Sequence, residues 1–344
     1  MKLSNIIFAP LSALYGLALY IRHTLYDDHL LPSHTVSVPT ICVGNLAVGG
    51  TGKTPHVEYL VAMLAPRYKV AVLSRGYGRK THGFLLADDK ADAMTIGDEP
   101  MQIHRHFPEV TVAVCENRVR GIRQLQRMVP GLQVVILDDA FQHRSLQCGL
   151  NILLTTADNL YVNDHLLPWG SLRDLKQRSL AAHAVIVTKC PENIKPIDKR
   201  VIDSTLHLPA FQQLYFSRMK YSTPLPVGEY QSPLVLSAVA NPHYFFNHVK
   251  ATYPDATCLA FPDHHRFNLR DQARIIELSK SHDAIFTTAK DYERLLLTHN
   301  PLILEHNLVV ISVGVDLDVD TEPFERQVIY YINENLRHNQ KHET

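Results

Sequence analysis

The chain has 344 residues, 46% of them apolar, which is enough for one large or two medium domains with substantial cores. Lysine plus arginine and aspartate plus glutamate both number 34, so the formal net charge is zero and no broad basic face for bulk nucleic-acid binding is implied. Five scattered cysteines without a Cys-x-x-Cys pair argue against a zinc site and a disulfide framework, and fit a reducing cytosol.

The first predicted element is a mostly apolar helix, Ile6 to Ile21. It would be about 24 Å long, short of the roughly 30 Å hydrocarbon thickness of a bilayer. Pro10, Ser12 and Gly16 interrupt it, and Tyr15 and Tyr20 suit a membrane interface. No small-x-small cleavage site follows, against a removed signal peptide. The pattern predicts a helix within residues 1–25 that lies in or dips into the inner leaflet, with Arg22 and His23 at the headgroups. Packing on the protein's own core and a true span are the alternatives.

An apolar run, Val36 to Val43, then leads into Gly49-Gly50-Thr51-Gly52-Lys53-Thr54 and a helix-like stretch, Thr54 to Leu64. Strand, glycine-rich turn and helix in that order form a phosphate cradle. Backbone N–H groups would close on a polyphosphate. Lys53 would reach the β and γ phosphates, and the Thr54 hydroxyl would ligate Mg²⁺. The loop departs from the usual pattern at Ala47, where a glycine is common. Val48 stands where a related branch of nucleotide-binding proteins carries a second lysine.

Further strands are predicted at Lys69–Ser74, Val110–Val114, Val134–Leu137, Asn151–Leu154 and Ala184–Thr188, with helices at Asn117–Met128 and Leu172–Ser179. This alternation predicts an α/β fold: a P-loop NTPase-type, mostly parallel sheet with helices on both faces. Ser74-Arg75-Gly76-Tyr77-Gly78-Arg79 follows the second strand and reads as an anion-binding loop or a solvated basic turn. Gly97-Asp98-Glu99-Pro100 reads either as a helix start capped by Asp98 or as a catalytic acid pair, with Glu99 a candidate support for the metal. Val134-Val-Ile-Leu-Asp138-Asp139 is an apolar strand ending in two acids, one of which would face the metal.

The rhythm restarts after Ala210. A strand at Gln213–Lys220 and a proline-rich connector over 223–233 precede strands at Leu234–Ala238, Cys258–Phe261, Ala284–Thr288 and Leu308–Val313. Helices are predicted near Tyr244–Tyr253 and at Arg270–Ser281, and the tail after His338 reads as frayed. The division is therefore an N-terminal interfacial helix (1–25), a P-loop kinase core (26–212) and a smaller C-terminal α/β domain (213–338) that completes a cleft. Pro262-Asp263-His264-His265-Arg266-Phe267 would bring acid, imidazole and guanidinium to that cleft, or form a hydrogen-bonded turn.

In this order the motifs resemble the tetraacyldisaccharide 4′-kinases of lipid A biosynthesis. The matching stretches are Val43–Pro55, Leu73–Arg79, Gly97–Pro100, Leu137–Arg144, Leu167–Arg173 and Phe261–Phe267, with Thr287–Tyr292 also similar. The resemblance implies transfer of the γ-phosphoryl of ATP, with Mg²⁺, to the 4′-hydroxyl of a tetraacylated, 1-phosphorylated glucosamine disaccharide. It implies that Asp98 takes the hydroxyl proton while His264 orients it. Lys53, Thr54 and the Asp138/Asp139 pair would carry nucleotide and metal. Arg75, Tyr77, Gln142, His143 and Arg173 would contact acceptor or phosphate. It also implies a place at the cytoplasmic face of the bacterial inner membrane, with no nucleic acid and no obligate protein partner. Asp174-Leu175 stands where the family often has Glu-Pro, and Ala140 where many members have Gly. The rival readings are a kinase of a small soluble metabolite and a guanine-nucleotide switch, for which Ala289-Lys290-Asp291 is a partial specificity motif.

Overall fold

The computed structural model describes residues 3–221 and 230–343, so the proline-rich connector lies, up to residue 229, outside the described residues. In chain order the elements begin with α1 (Leu3–Asp27), β1 (Thr40–Asn45), α2 (Lys53–Leu64), β2 (Val70–Ser74), the short β3 (Leu85–Leu86) and α3 (Asp98–His106). They continue with β4 (Thr111–Val114), α4 (Arg118–Met128), β5 (Val134–Asp138), β6 (Leu150–Thr156), β7 (Ala184–Thr188), α5 (Pro196–Leu206) and β8 (Gln213–Phe216). The remainder is β9 (Arg218–Tyr221), β10 (Leu234–Ser237), α6 (His243–Thr252), β11 (Thr257–Ala260), α7 (Leu269–Ser279), β12 (Ile285–Thr288), α8 (Ala289–Leu296), α9 (Pro301–Leu304), β13 (Leu308–Ile311), β14 (Val313–Asp316) and α10 (Thr321–Glu343).

The main sheet has the order β3-β4-β2-β5-β1-β6-β7-β8 and is parallel except for β3. Every residue of β1, β2, β5 and β7 is buried, as parallel strands covered on both faces require. Alternate side chains serve opposite faces. Ile41 and Val43 join a cluster with Val57, Leu60 and Val61 of α2, while Cys42 joins one with Val119, Ile122 and Leu125 of α4. A second, four-stranded parallel sheet, β11-β10-β12-β13, is covered by α6 on one side and by α7, α8 and α9 on the other. The two sheets are linked by the antiparallel ribbon β9–β14.

The large sheet takes elements from beyond residue 212. The predicted strand Gln213–Lys220 splits at the buried Ser217: β8 forms the edge of the large sheet, and β9 pairs instead with β14. Helix α10 brings Phe324, Val328 and Ile332 into the core beneath the large sheet, so that unit is built from both ends of the chain. The helix predicted at Leu172–Ser179 is instead a loop followed by a 3₁₀ turn, Lys176–Ala181, because Leu172 and Arg173 bond back to the loops beside β1 and β6. Helix α10 continues to Glu343, past the point where fraying is predicted.

Helix α1 packs one polar face on the protein and leaves the other exposed. Ser12 Oγ donates to Leu166 O, Tyr15 Oη to Arg173 O at 2.8 Å, and Arg22 Nη2 to Gln142 O at 2.9 Å. His23 does not sit at headgroups: it is buried, 2.6 Å from Asp174 Oδ1, because that fully buried carboxylate needs a partner. Leu11, Leu14, Leu17, Tyr20 and Ile21 face outward. Among the described residues no helix is long and apolar enough to cross a membrane.

Candidate active site

The carboxyl ends of both sheets open on one cleft of about 830 Å³. Open α/β sheets bind ligands at such ends, outside the carboxyl termini of the strands. β1 ends at the fully buried Asn45, the anchor of the glycine loop. Its Nδ2 donates to Thr51 Oγ1 at 2.8 Å, and its Oδ1 accepts from Arg173 Nη2 at 2.6 Å and from Lys53 Nζ at 3.5 Å. Gly49 and Gly52 have φ of +106° and +87°, a region that favours glycine. The loop thereby turns into α2, whose first-turn N–H groups have no intrahelical acceptor. Thr188 Oγ1 braces the loop from β7 through Thr51 O. His56 spans from Gly52 O to Ser217 Oγ, and burial lowers it to about 4, so it is a neutral strut.

Gly49, Gly50, Thr51, Gly52, Lys53 and Thr54 all line the cleft, as do Arg75, Tyr77, Glu99, Asp138, Asp139, Gln142, His143, Arg173 and His264. The two strand-end acids differ. Asp139, with φ +49°, is clasped by both Arg173 terminal nitrogens and lies 3.9 Å from Lys53 Nζ. Burial would raise its pKa, but Lys53 and Arg173 hold it low. Asp138 is fully buried; its Oδ2 accepts from Ser74 Oγ, and its Oδ1 has no partner among the described residues. Burial pushes its carboxyl up to about 7, helped by Glu99 and Asp139. A buried carboxylate with an unpaired oxygen beside another acid suits a cation. Among the described residues no three His, Cys, Asp or Glu side chains converge on a point that could hold one. Mg²⁺ does not need such a cage, since it takes one or two carboxylates plus phosphate oxygens and water. The donor set therefore fits Mg²⁺ arriving with a nucleotide.

Asp98 is the one predicted site residue that does not line the cleft; it stands behind His264 at the start of α3. Its Oδ2 lies 3.1 Å from His264 Nδ1 and accepts from Arg294 Nε at 2.6 Å. Burial would raise Asp98, but His264, Arg294 and Lys290 outweigh it and hold the carboxylate below its usual range. Gly97, at φ +95°, makes this possible: a side chain there would strike Tyr77 O at 2.9 Å and Gly76 at 3.2 Å. The Arg75 loop and α3 are thus pressed together, and the Tyr77 ring sits 4.9 Å from that of His264.

Sequence reasoning missed the cations of α8. Lys290 Nζ is 3.0 Å from Glu99 Oε1 and 3.3 Å from His264 Nε2. Arg294 also bonds Asp291 Oδ1 and Ala238 O. Lys290 lay inside the similar segment Thr287–Tyr292, but nothing local marked Arg294. Asp291 is fully buried on Ala238 N, Thr288 Oγ1 and Arg294, so it offers no carboxylate to a guanine base. Arg118 was missed too. It is buried, with Nη1 on Cys115 O and Nη2 on Asp138 O, and its backbone N–H meets His143 Nε2 at 3.3 Å. Burial and the neighbouring Arg118, Arg22 and Arg75 lower His143 to about 4. Gln142 Nε2 donates to Asn45 O at 2.7 Å, so Gln142 and Arg173 brace the loop here, whereas Arg75 and Tyr77 are exposed at its mouth.

A family model described as "Tetraacyldisaccharide-1-P 4′-kinase" matches residues 4–333 of this chain. A protein of Bacteroides thetaiotaomicron named tetraacyldisaccharide 4′-kinase is 41% identical, over 95% of this chain and 93% of its own length. One of the same name from Flavobacterium johnsoniae is 40% identical, over 98% of this chain and 99% of its own. The solved "apo" form LpxK of Aquifex aeolicus in complex with ATP has a TM-score of 0.72 at 27% identity, covering 94% of this chain and 98% of that one.

Proposed function

The chain belongs to the tetraacyldisaccharide-1-phosphate 4′-kinase family, and on that premise we propose how its cleft performs the reaction. The chain is an ATP-dependent kinase that transfers the γ-phosphoryl to the 4′-hydroxyl of tetraacyldisaccharide 1-phosphate in lipid A biosynthesis. The polyphosphate lies on Gly49 to Thr54, with Lys53 toward the β and γ phosphates. Thr54 and Asp138 would hold Mg²⁺, with Glu99 alongside, and the ion would neutralise charge on the β- and γ-phosphoryl oxygens. Asp139 is left as the acid that holds Lys53 and Arg173. The acceptor enters past Arg75 and Tyr77, with His143, Gln142 and Arg173 beneath. Its 4′-oxygen bonds to the γ-phosphorus as the bond to the β,γ-bridging oxygen breaks, ADP leaves, and the hydroxyl proton passes to Asp98. No hydrogen bond among the described residues occupies Asp98 Oδ1, which supports it as the acceptor of that proton.

A second order for the pair has one observation behind it: His264, not Asp98, lines the cleft. In that order His264 Nε2 meets the hydroxyl and Asp98 holds the ring. Helix α1 lies on the cytoplasmic face of the inner membrane through its exposed apolar side, so the acyl chains stay in lipid while the sugar reaches the cleft.

The carrying observation is the convergence of the Lys53 loop, Asp138 and His264 on one cleft, with Asp98 held behind His264. The test follows γ-labelled phosphate from ATP into a detergent-dispersed acceptor. Asp98→Ala is expected to lose on the order of 10²-fold or more in kcat. His264→Ala loses less if Asp98 is the base, and at least as much if His264 meets the hydroxyl. Equal transfer by wild type and both variants would remove the pair from the chemistry.

A further inference from the structure

Helix α4 buries Val119, Ile122 and Leu125 and turns Arg120, Arg123 and Arg127 outward on successive turns. Among the described residues no carboxylate lies within ion-pair distance of these three guanidinium groups. Like charges three and four residues apart on a helix repel. In a chain of zero net charge this is a local concentration of positive potential.

The three arginines line a groove of about 380 Å³ with His34 and Tyr26. Tyr26 lies near the end of α1 on its protein-facing side, with Arg22 and Arg144 over its ring, so the groove begins at the C-terminal end of that helix. Helix α1 bonds Gln142 O, and the neighbouring Phe141 shares one core cluster with the apolar side of α4. None of the groove's lining residues lines the active-site cleft.

From this arrangement we propose that the groove is a docking site for anionic phospholipid headgroups, at the C-terminal end of α1. The inference rests on the reading of α1 as an interfacial helix. Insertion of one short apolar face gives reversible attachment, and a basic patch next to it supplies the second signal that stable attachment needs. The guanidinium fork matches phosphate oxygens. Each basic residue near an anionic surface strengthens partitioning roughly fivefold, so three give on the order of 10²-fold.

The test is co-sedimentation of the full chain with vesicles of phosphatidylcholine alone and of phosphatidylcholine with 30% phosphatidylglycerol. The probes are wild type, R120Q/R123Q/R127Q, the charge-retaining R120K/R123K/R127K, and Leu14→Asn/Leu17→Asn. Wild type should partition on the order of 10²-fold more strongly to the anionic vesicles, and high salt should erase the difference. The glutamine variant should lose that increment while binding neutral vesicles as wild type does, and the lysine variant should keep most of it. The Leu14/Leu17 variant should weaken on both vesicles. An increment absent from wild type, or retained by the glutamine variant, overturns the proposal and leaves the α1 reading standing. Wild type that binds neither vesicle overturns both. A raised KM of the glutamine variant for acceptor in neutral detergent micelles would reassign the groove to the substrate's own phosphate and overturn the headgroup assignment.

Discussion

Arg294→Gln is the most informative single change. The guanidinium is 3% exposed and joins Asp98, Asp291 and Ala238 O, so it ties α3 of the large unit to β10 and α8 of the small one. Glutamine cannot hold both acids and carries no charge. Breaking a buried ion pair by removing one partner costs about 3–5 kcal/mol. At roughly 2–4 °C per kcal/mol, that lowers Tm by on the order of 10 °C. The kinetic consequence is separable. Asp98 loses one of the groups that hold it low, so its pKa rises toward the ordinary carboxylate range. A general base must be ionised, so the acid limb of the kcat/KM profile moves to higher pH. The assay is scanning calorimetry together with phosphoryl transfer from pH 4 to 8 at a temperature where the variant is folded. A lowered Tm with an unmoved acid limb would make Arg294 structural and refute the electrostatic argument. An unchanged Tm would refute the burial argument.

Four further outcomes are expected. Asp138 has a folded pKa near 7, above the ordinary carboxylate value of about 3.9, so the folded chain keeps a proton that the unfolded chain releases. That costs stability as pH rises from about 4 to about 7, and fully above it. Without Mg²⁺ or nucleotide, Asp138→Asn should therefore melt higher than wild type at pH 8, by a margin that shrinks as pH falls toward 4, while losing the stabilisation given by Mg·ATP. Deleting residues 1–25 removes Tyr15, Arg22 and His23 from Arg173, Gln142 and Asp174, so it should lower Tm and activity as well as membrane sedimentation. Leu14→Asn/Leu17→Asn, on the exposed face, should reduce sedimentation alone; a matching loss of Tm would show that α1 packs through that face. Gly97→Ala should cut kcat at least tenfold, because its methyl would strike Tyr77 O and push Asp98 away from His264; unchanged turnover would mean that this close approach is dispensable.

Much of the site was legible because it is local. An apolar run, a glycine turn and Gly52-Lys53-Thr54 dictate strand, cradle and helix whatever lies around them. Val134 to Asp138 carries its own burial and its own terminal acid. Helix α10 was legible in principle, since Phe324, Val328 and Ile332 recur every four residues. Helix α8 was not: Asp291, Glu293 and Arg294 are buried, which inverts the pattern by which sequence separates inside from outside.

From its sequence alone the chain determines a parallel α/β sheet, a phosphate loop and a strand ending in two acids, since each follows from neighbours within one strand–loop–helix unit, whereas Asp98 and His264 were paired only by the resemblance of their motifs to a kinase family. Tertiary structure decided which of the paired acids is free, because only Arg173, 34 residues away, clasps Asp139 and leaves Asp138 Oδ1 open. It also decided that His23 is buried on Asp174 and that Lys290 and Arg294 belong to the site, because these charges find partners more than 150 residues away and no local period encodes such a distance.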